Sequence, residues 1–360
     1  MLFDPRPKED PKDLFDRERE MELLRFGVRY PMTLVLGIRR SGKSSLVKVL
    51  AREEGGLWIY VDLRRFESRS FVSYRDLVQE LEAAVNSSLP ERLRGLLAGL
   101  RGVEVAGVRV SFRWGGRSRV DLAQVLDRLS EISEREGRRA VVVLDEAQEL
   151  RKLKGYNLLY LLAYAYDNLK VSFVLTGSEV GLAYDFLRLD DPGSPLFGRA
   201  YTRVDVGPFD RATALEFLRR GFAEAGVEVR DEVLEEAVDV LGGIPGWLTY
   251  YGFNYLQERD HARAVEKTVS AAVSLVRQEF ENFLRGREAA RERYLAIMRA
   301  CARGCSWSEA KAALEAREGA RVDDKRLTEL LNNLVKASFL VKEGDAYRPP
   351  DVMIARAFSG

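Results

Sequence analysis

The residues most able to do chemistry stand in the run Gly37-Ile38-Arg39-Arg40-Ser41-Gly42-Lys43-Ser44, which fits G-x-x-x-x-G-K-[ST]. An apolar stretch, Thr33–Leu36, precedes it, and a helix is expected to open at Gly42. That is the context in which such a run cradles phosphate. The glycines let backbone N–H groups turn inward, and the helix N-terminus adds partial positive charge. Lys43 can reach β- and γ-phosphates, and the Ser44 hydroxyl can reach Mg²⁺. The candidate nucleotide-binding residues are therefore Gly37, Arg39, Arg40, Ser41, Gly42, Lys43, Ser44 and Ser45. A second constellation closes the apolar run Val141–Leu144, where Asp145 and Glu146 follow directly. A buried parallel strand delivers its last residues to the crevice where ligands bind. Asp145 can hold Mg²⁺ there, directly or through water, and Glu146 can orient and activate an attacking water. No Asn-Lys-x-Asp occurs, which argues against guanine specificity.

These residues need strands and helices to place them. Strands are expected at Thr33–Leu36, Leu57–Leu63, Ala140–Leu144, Val171–Leu175 and Thr202–Val206, alternating with helices at Phe71–Val85 and Val120–Glu134. The central strands read as unbroken apolar runs, the pattern of a parallel sheet covered on both faces. Val103–Trp114, around Gly107, alternates as a β-hairpin does. From Asp210 to about Arg287 the chain reads as helical, broken at Gly242-Gly243-Ile244-Pro245-Gly246. Three further helical stretches follow, Arg291–Ala302, Ser306–Arg317 and Asp323–Ala337, then two short apolar pieces around Gly344-Asp345. That is the outline of a winged helix. The expected architecture is α/β: a P-loop parallel sheet with helices on both faces (residues 1–207), a helical lid domain (208–287) and a C-terminal winged-helix domain (288–360).

Composition narrows the class. The chain has 360 residues, 46% hydrophobic and 31% charged, with 57 Lys+Arg against 56 Asp+Glu. Disorder needs low hydrophobicity and charge imbalance, and neither is present. No run of about 18 apolar residues occurs, and the charged, Pro-containing start does not resemble a signal peptide. A cytoplasmic protein is expected. One His and two Cys, Cys301 and Cys305, exclude a disulfide framework and argue against a metal cluster. His261 is expected to face solvent and Trp58 to lie in the core. Of the basic residues 45 are Arg, and only 5 Gln and 7 Asn occur, a pattern that fits a thermophile or a GC-rich genome.

The whole chain resembles the archaeal ATPase family, a branch of the STAND class related to the AAA+ ATPases. The resemblance rests on Phe15-Asp16-Arg17-Glu18, GIRRSGKSSL, VVVLDEAQEL, GGIPGWL and above all the segment Thr176–Arg199. It implies roles that spacing does not show. Ser178 would sense the γ-phosphate or position water; the alternative is a helix N-cap. Arg199 would act as an arginine finger, within the chain or on a neighbouring copy; the alternative is a surface ion pair with Asp190 or Asp191. Pro245 would lie against adenine as the lid closes. Phe15 and Arg17 would flank the base, or Phe15 would staple the first helix.

The implied cofactors are ATP and Mg²⁺. Nucleic acid is less clear. Residues 288–360 carry 13 basic and 11 acidic side chains, a weak footprint for DNA. Residues 101–120 are more basic: Arg101, Arg109, Arg113, Arg117 and Arg119 oppose only Glu104, with Phe112 and Trp114 interleaved. Such a hairpin can grip nucleic acid by charge and stacking, or pack alternate residues inward with its arginines solvated. The preferred expectation is Mg²⁺-dependent ATP binding and hydrolysis used as a conformational switch. The alternatives are a DNA-binding ATPase of replication, mobile-element biology or repair, and an ATP-bound scaffold with little turnover. A protein partner or self-association fits all three, and no membrane contact is expected.

Overall fold

Five apolar segments form one parallel sheet in a computed structural model that describes residues 1–107, 109–113 and 120–359. They are β1 (Met32–Leu36), β2 (Trp58–Asp62), β3 (Ala140–Asp145), β4 (Val171–Gly177) and β5 (Thr202–Asp205). Their spatial order is β2-β3-β4-β1-β5. The inner strands β1, β3 and β4 are buried at every residue, whereas the edge strands β2 and β5 are not. This is why the inner ones read as continuous apolar runs. After β1 the chain crosses to the far edge and returns, so the strand order reverses beside β1, where a crevice opens at the C-terminal ends.

Helices of seven or more residues are numbered α1 to α14. In the core they are α1 (Glu18–Gly27), α2 (Lys43–Glu54), α3 (Tyr74–Ser88), α4 (Leu122–Arg135), α5 (Leu158–Asn168) and α6 (Val180–Leu187). Side chains alternate across the strands. Val35, Val141, Val143, Val174 and Val204 pack with α1 and α2. Leu34, Val142, Leu144 and Phe173 meet α3, α4 and α5 on the opposite face. Helix α3 starts at Tyr74 rather than Phe71, because Ser73 and Asp76 form a reciprocal capping box.

The hairpin forms at Val103–Ala106 and Arg109–Phe112. Asn86 and Glu82 of α3 hydrogen-bond its outer strand at Val110 and Phe112, which covers the open edge. Val110 and Phe112 are buried, Arg109 is exposed and Arg113 pairs with Glu104. Phe112 therefore serves the core and not a stacking surface. Trp114, Arg117 and Arg119 lie outside the described residues.

The lid holds α7 (Arg211–Glu224), α8 (Asp231–Leu241), α9 (Pro245–Glu258) and α10 (His261–Leu284). The winged helix holds α11 (Arg291–Ala300), α12 (Trp307–Glu318) and α13 (Asp324–Lys336). A three-stranded antiparallel sheet and the closing α14 (Val352–Phe358) complete it. The sheet gains a strand that the sequence reading lacked, Cys305–Ser306, paired with Ala346–Arg348. Lid and winged helix share one hydrophobic core, and Leu2 and Phe3 from the polar N-terminal segment are buried in it. Cys301 and Cys305 are joined by a disulfide. His261 is not solvated as expected: its ring is half-buried, with Nδ1 2.8 Å from the Tyr251 hydroxyl and Nε2 3.4 Å from Glu236. Trp58 is likewise half-buried rather than a core residue. No helix among the described residues is long and apolar enough to cross a membrane.

The C-terminal end of α13 and the turn after it dock on the α/β core. Ser338 Oγ accepts from Val180 N at 3.2 Å, and Lys336 Nζ lies 2.9 Å from Asp185. A Cβ added to Gly181 would stand 2.5 Å from Lys336 Cα, a backbone atom that cannot rotate away. Gly181→Ala should therefore lower stability by about 1–3 kcal/mol through overpacking at this seam. Urea denaturation of the full chain measures it, and an unchanged midpoint would show that the two units do not depend on this approach.

Candidate active site

The phosphate loop leaves β1 at Gly37, where a Cβ would lie 2.1 Å from the Val206 carbonyl oxygen. Gly42, at φ +104°, caps the N-terminus of α2. Lys43 is 4% exposed, and its Nζ donates to the carbonyls of Gly37 (2.8 Å) and Ile38 (3.0 Å). Burial lowers its pKa, against the pull of Glu146 and Asp145. Ser41 Oγ is buried with no hydrogen-bond partner among the described residues. Arg17 braces the loop from behind, donating to Ser41 O (3.3 Å) and Gly207 O (2.7 Å), with its guanidinium 4.6 Å from the Phe209 ring centre.

Asp145, at the end of β3, is fully buried and held from three elements. Its Oδ2 accepts from Ser44 Oγ on α2 at 3.0 Å and from the Tyr60 hydroxyl on β2, and its Oδ1 accepts from Thr176 Oγ1 on β4. Burial raises its pKa and the adjacent Glu146 adds to the rise, while these hydrogen bonds oppose it. Glu146 takes a left-handed backbone, φ 60°, with its N–H donating to Thr176 Oγ1 at 3.0 Å. Its Oε2 accepts from Ser178 Oγ (2.5 Å), Ser178 N (3.1 Å) and Gln148 Nε2 (2.5 Å). Burial alone would raise the Glu146 pKa. Lys43 and then Arg39 outweigh it, so the carboxyl stays below its ordinary value and is ionised at neutral pH.

Arg39 turns toward carboxylates from three segments: Glu67 (2.7 Å), Glu179 (3.5 Å) and Glu279 of α10 (3.3 Å). Arg40 stacks its guanidinium 4.2 Å from the Trp247 ring centre, and its carbonyl accepts from Gly246 N at 3.1 Å. Trp247 Nε1 in turn donates to Asp351 Oδ2 of the winged helix at 2.8 Å. A cavity of about 430 Å³ opens between core and lid. Residues 39–45, Phe15, Arg17, Glu146, Phe209 and Pro245 line it.

The structure thus places Arg39, Arg40, Ser41, Gly42, Lys43, Ser44, Ser45, Glu146 and Pro245 on one cavity; Gly37 and Asp145 do not line it, and meet it through Lys43 and Ser44 respectively. Ser178 stands just behind, on the Glu146 carboxylate. Arg199 does not line the cavity: its guanidinium pairs with Asp167 on α5, not with Asp190 or Asp191, and Asp191 pairs with Arg188. Sequence reading missed Tyr60, Gln148, Glu279 and the role of Thr176. Thr176 had a signal, a hydroxyl ending an apolar strand. Tyr60 and Glu279 had none, since their partners lie 85 and 240 positions away.

The residues suit a nucleotide with a divalent cation. Ser41 Oγ is an unused hydrogen-bonding group in the loop, Lys43 supplies charge, and Ser44 with Asp145 offers hard oxygens. Among the described residues no group of three or more His, Cys, Asp or Glu can hold a metal. Two protein oxygens, completed by phosphate and water, is how Mg²⁺ is usually held.

Comparisons with known proteins agree with this geometry. Residues 14–251 match the model of an ATPase domain found predominantly in Archaea, and residues 288–350 match the MCM protein C-terminal winged helix-turn-helix domain. Among solved structures, the Walker-type ATPase of Pyrococcus abyssi is 37% identical, with 99% of each chain covered and a TM-score of 0.85. The ORC2 protein of Aeropyrum pernix, solved as ADPNP and ADP complexes, shares the fold at 16% identity. That match has a TM-score of 0.61 and covers 99% of this chain and 95% of that one. No curated protein sequence matches the chain. With about two thirds of its length inside the family model, the chain belongs to this family of ATPase domains found predominantly in Archaea.

Proposed function

We propose that the protein binds ATP with Mg²⁺ and hydrolyses it, and that the nucleotide state moves the lid and winged helix relative to the core. The carrying observation is the convergence of Lys43, Ser44 and Glu146 on a cavity that core and lid share, with Asp145 directly behind Ser44. The nucleotide complexes of the ORC2 relative support the same reading.

When bound, ATP·Mg²⁺ supplies the phosphoanhydride and a cation that spreads its charge. The chain does the rest. Loop N–H groups and the α2 N-terminus hold phosphate oxygens, while Lys43 leaves the loop carbonyls for the β- and γ-phosphates. Ser44 and Asp145 hold the cation in the geometry that Tyr60 and Thr176 impose. Glu146, ionised and steered by Ser178 and Gln148, accepts a hydrogen bond from the attacking water and orients it. In this reading Pro245 and Phe15 flank adenine. Arg199 serves a neighbouring copy, because its own guanidinium stands at the Asp167 surface and not at its own cavity.

A second reading, DNA contact through the winged helix, is supported by the MCM winged-helix match. On the helix α13, Lys325 is exposed but Arg326 pairs with Glu329 and Lys336 with Asp185. Binding to duplex DNA should then be weak, with a shallow salt dependence, because the slope scales with the number of phosphates neutralised. Fluorescence anisotropy across a salt series tests this, and no binding at low salt rejects the second reading.

Glu146→Gln should lower steady-state ATP turnover by roughly 10²–10⁴-fold while ATP still binds. Equal, negligible turnover in both proteins would leave the scaffold reading. Lys43→Ala should weaken ATP binding at least about tenfold, or 1.4 kcal/mol. Activity recovered on mixing Glu146→Gln with Arg199→Ala protein would place the arginine across an interface.

The acid limb of hydrolysis reports Glu146. Its folded pKa is lowered, so the working anion is lost only as pH falls below the ordinary glutamate value, about 4.3. Arg39→Gln removes one of the two cations responsible and should move that limb to higher pH. Single-turnover rates against pH measure it; superimposed limbs would show that Arg39 does not set the charge of Glu146.

A further inference from the structure

The N-terminal segment crosses from the lid to the core over the mouth of the cavity. At the lid end, Phe3 is 3% exposed, with its ring centre 4.9 Å from that of Phe222. It occupies a slot that two glycines leave open. A Cβ on Gly221 would stand 2.3 Å from Phe3 Cζ, and one on Gly252 would stand 2.3 Å from Phe3 Cδ1. Leu2 N donates to Glu224 Oε2 at 2.7 Å.

At the core end the segment follows one face of α2. Lys8 N donates to Ser45 Oγ at 3.0 Å, Glu9 lies 2.9 Å from Lys48, and Asp10 lies 3.9 Å from Arg52. Positions 45, 48 and 52 share a helix face, so the contacts form a row. Between the two ends, Asp4 to Lys8 line the cavity. This stretch keeps its shape through Lys8, whose Nζ donates to the carbonyls of Met1 (2.9 Å), Leu2 (2.8 Å) and Asp4 (2.7 Å). All three ammonium donors are used on the strap itself.

The phosphates belong at the N-terminus of α2. Ser45, residues 4–8, Phe15 and Pro245 line the same cavity as the loop, so a nucleoside joined to those phosphates would have these residues for its walls. We propose that residues 4–8 form the nucleoside-side wall of the site, latched by Phe3, so that strap docking and nucleotide affinity are one linked equilibrium. This inference rests on the ATP reading above. A ligand that binds only the latched state stabilises it, and the latch strengthens that ligand by the same factor. A bare triphosphate touches the loop alone and gains nothing from the strap.

Two measurements on the full chain test it, with ATP and tripolyphosphate as probes. Calorimetric titration of Phe3→Ala should show ATP weakened at least roughly tenfold, within the range of ordinary coupling, and tripolyphosphate affinity essentially unchanged. Gly252→Ala, which evicts the ring from the opposite side, should reproduce the pattern. The second measurement needs no variant. Trypsin can cut after Lys8 but not after Arg6, which precedes Pro7. Lys8 must leave its carbonyl partners to be cut, so saturating ATP should slow that cleavage and tripolyphosphate should not. If wild type binds ATP but cleavage is equally fast with and without it, or if Phe3→Ala weakens both probes alike, the strap is not part of the site. If wild type and Lys43→Ala bind ATP equally poorly, the phosphate-loop reading fails first and the inference falls with it.

Discussion

Charge buried at one end of a parallel sheet is the constraint on which the arrangement depends. Lys43 and Asp145 are buried, Glu146 is half-buried, and the three interact electrostatically with one another. Ionised groups in such a place must be paired and hydrogen-bonded, or they cost several kcal/mol each. Strands and loops of the core supply part of the compensation. The rest comes through Arg39, which lies between Glu146 on one side and Glu67, Glu179 and Glu279 on the other. Carboxylates outnumber the guanidinium, and the excess has consequences: burial pushes Glu179 up to about 7 and raises Glu279 as well, despite Arg39. Glu279 belongs to the lid, so lid docking is a matter of charge as well as of apolar packing. A triphosphate entering this site brings further negative charge to Lys43 and Arg39, and the ion pairs cannot remain indifferent to it.

The same constraint explains the polar ends of the strands. Tyr60 and Thr176 lie on the two neighbours of β3: Thr176 follows Leu175, the register partner of Leu144, while Tyr60, the partner of Val143, reaches Asp145 through its hydroxyl. An inner strand offers no water to a carboxylate, so its neighbours provide hydroxyls. Two oxygens are thereby fixed in direction before any cation arrives, and little reorganisation remains for binding to impose. Glu146 is treated differently. Its left-handed backbone turns the side chain out of the strand line toward Lys43, Ser178 and Gln148, so two consecutive carboxylates face different sets of partners.

Much of this was legible in the residues. Unbroken apolar runs announced β1, β3 and β4, because strands buried on both faces have no polar positions to interrupt them. The phosphate loop and the acidic pair followed from spacing within a single segment. What was not legible depends on partners distant in the chain. The ion pair of Arg199 with Asp190 or Asp191, the alternative to an arginine finger, does not form, because α5 brings Asp167 closer. The hairpin left two readings open, aromatics exposed among arginines or alternate residues packed inward; α3 decides for the second at Phe112, fixing the register through Asn86 and Glu82. The first ten residues read as a charged, Pro-rich tail. Their apolar members, Leu2 and Phe3, find burial only because Gly221 and Gly252, on different helices, leave space for one ring.

Helix α10 shows how the site and the winged helix become mechanically linked. It runs 24 residues, about 36 Å at the ordinary rise. Glu279 faces Arg39, and the next residue, Phe280, packs edge-on against Phe339 and Phe358 of the winged helix, at 5.1 and 4.8 Å. Adjacent residues on a rigid helix cannot move independently. Any shift of Glu279 away from the phosphate loop must carry Phe280, and the winged helix must follow or repack. A second link runs parallel to it, from Arg40 through Trp247 to Asp351, the N-cap of α14. Both begin at consecutive arginines of the loop and both end in the core that lid and winged helix share. Under the proposed switch, the two links would transmit nucleotide state by displacement of packed elements, since close-packed cores respond to displacement by moving as units rather than by yielding locally.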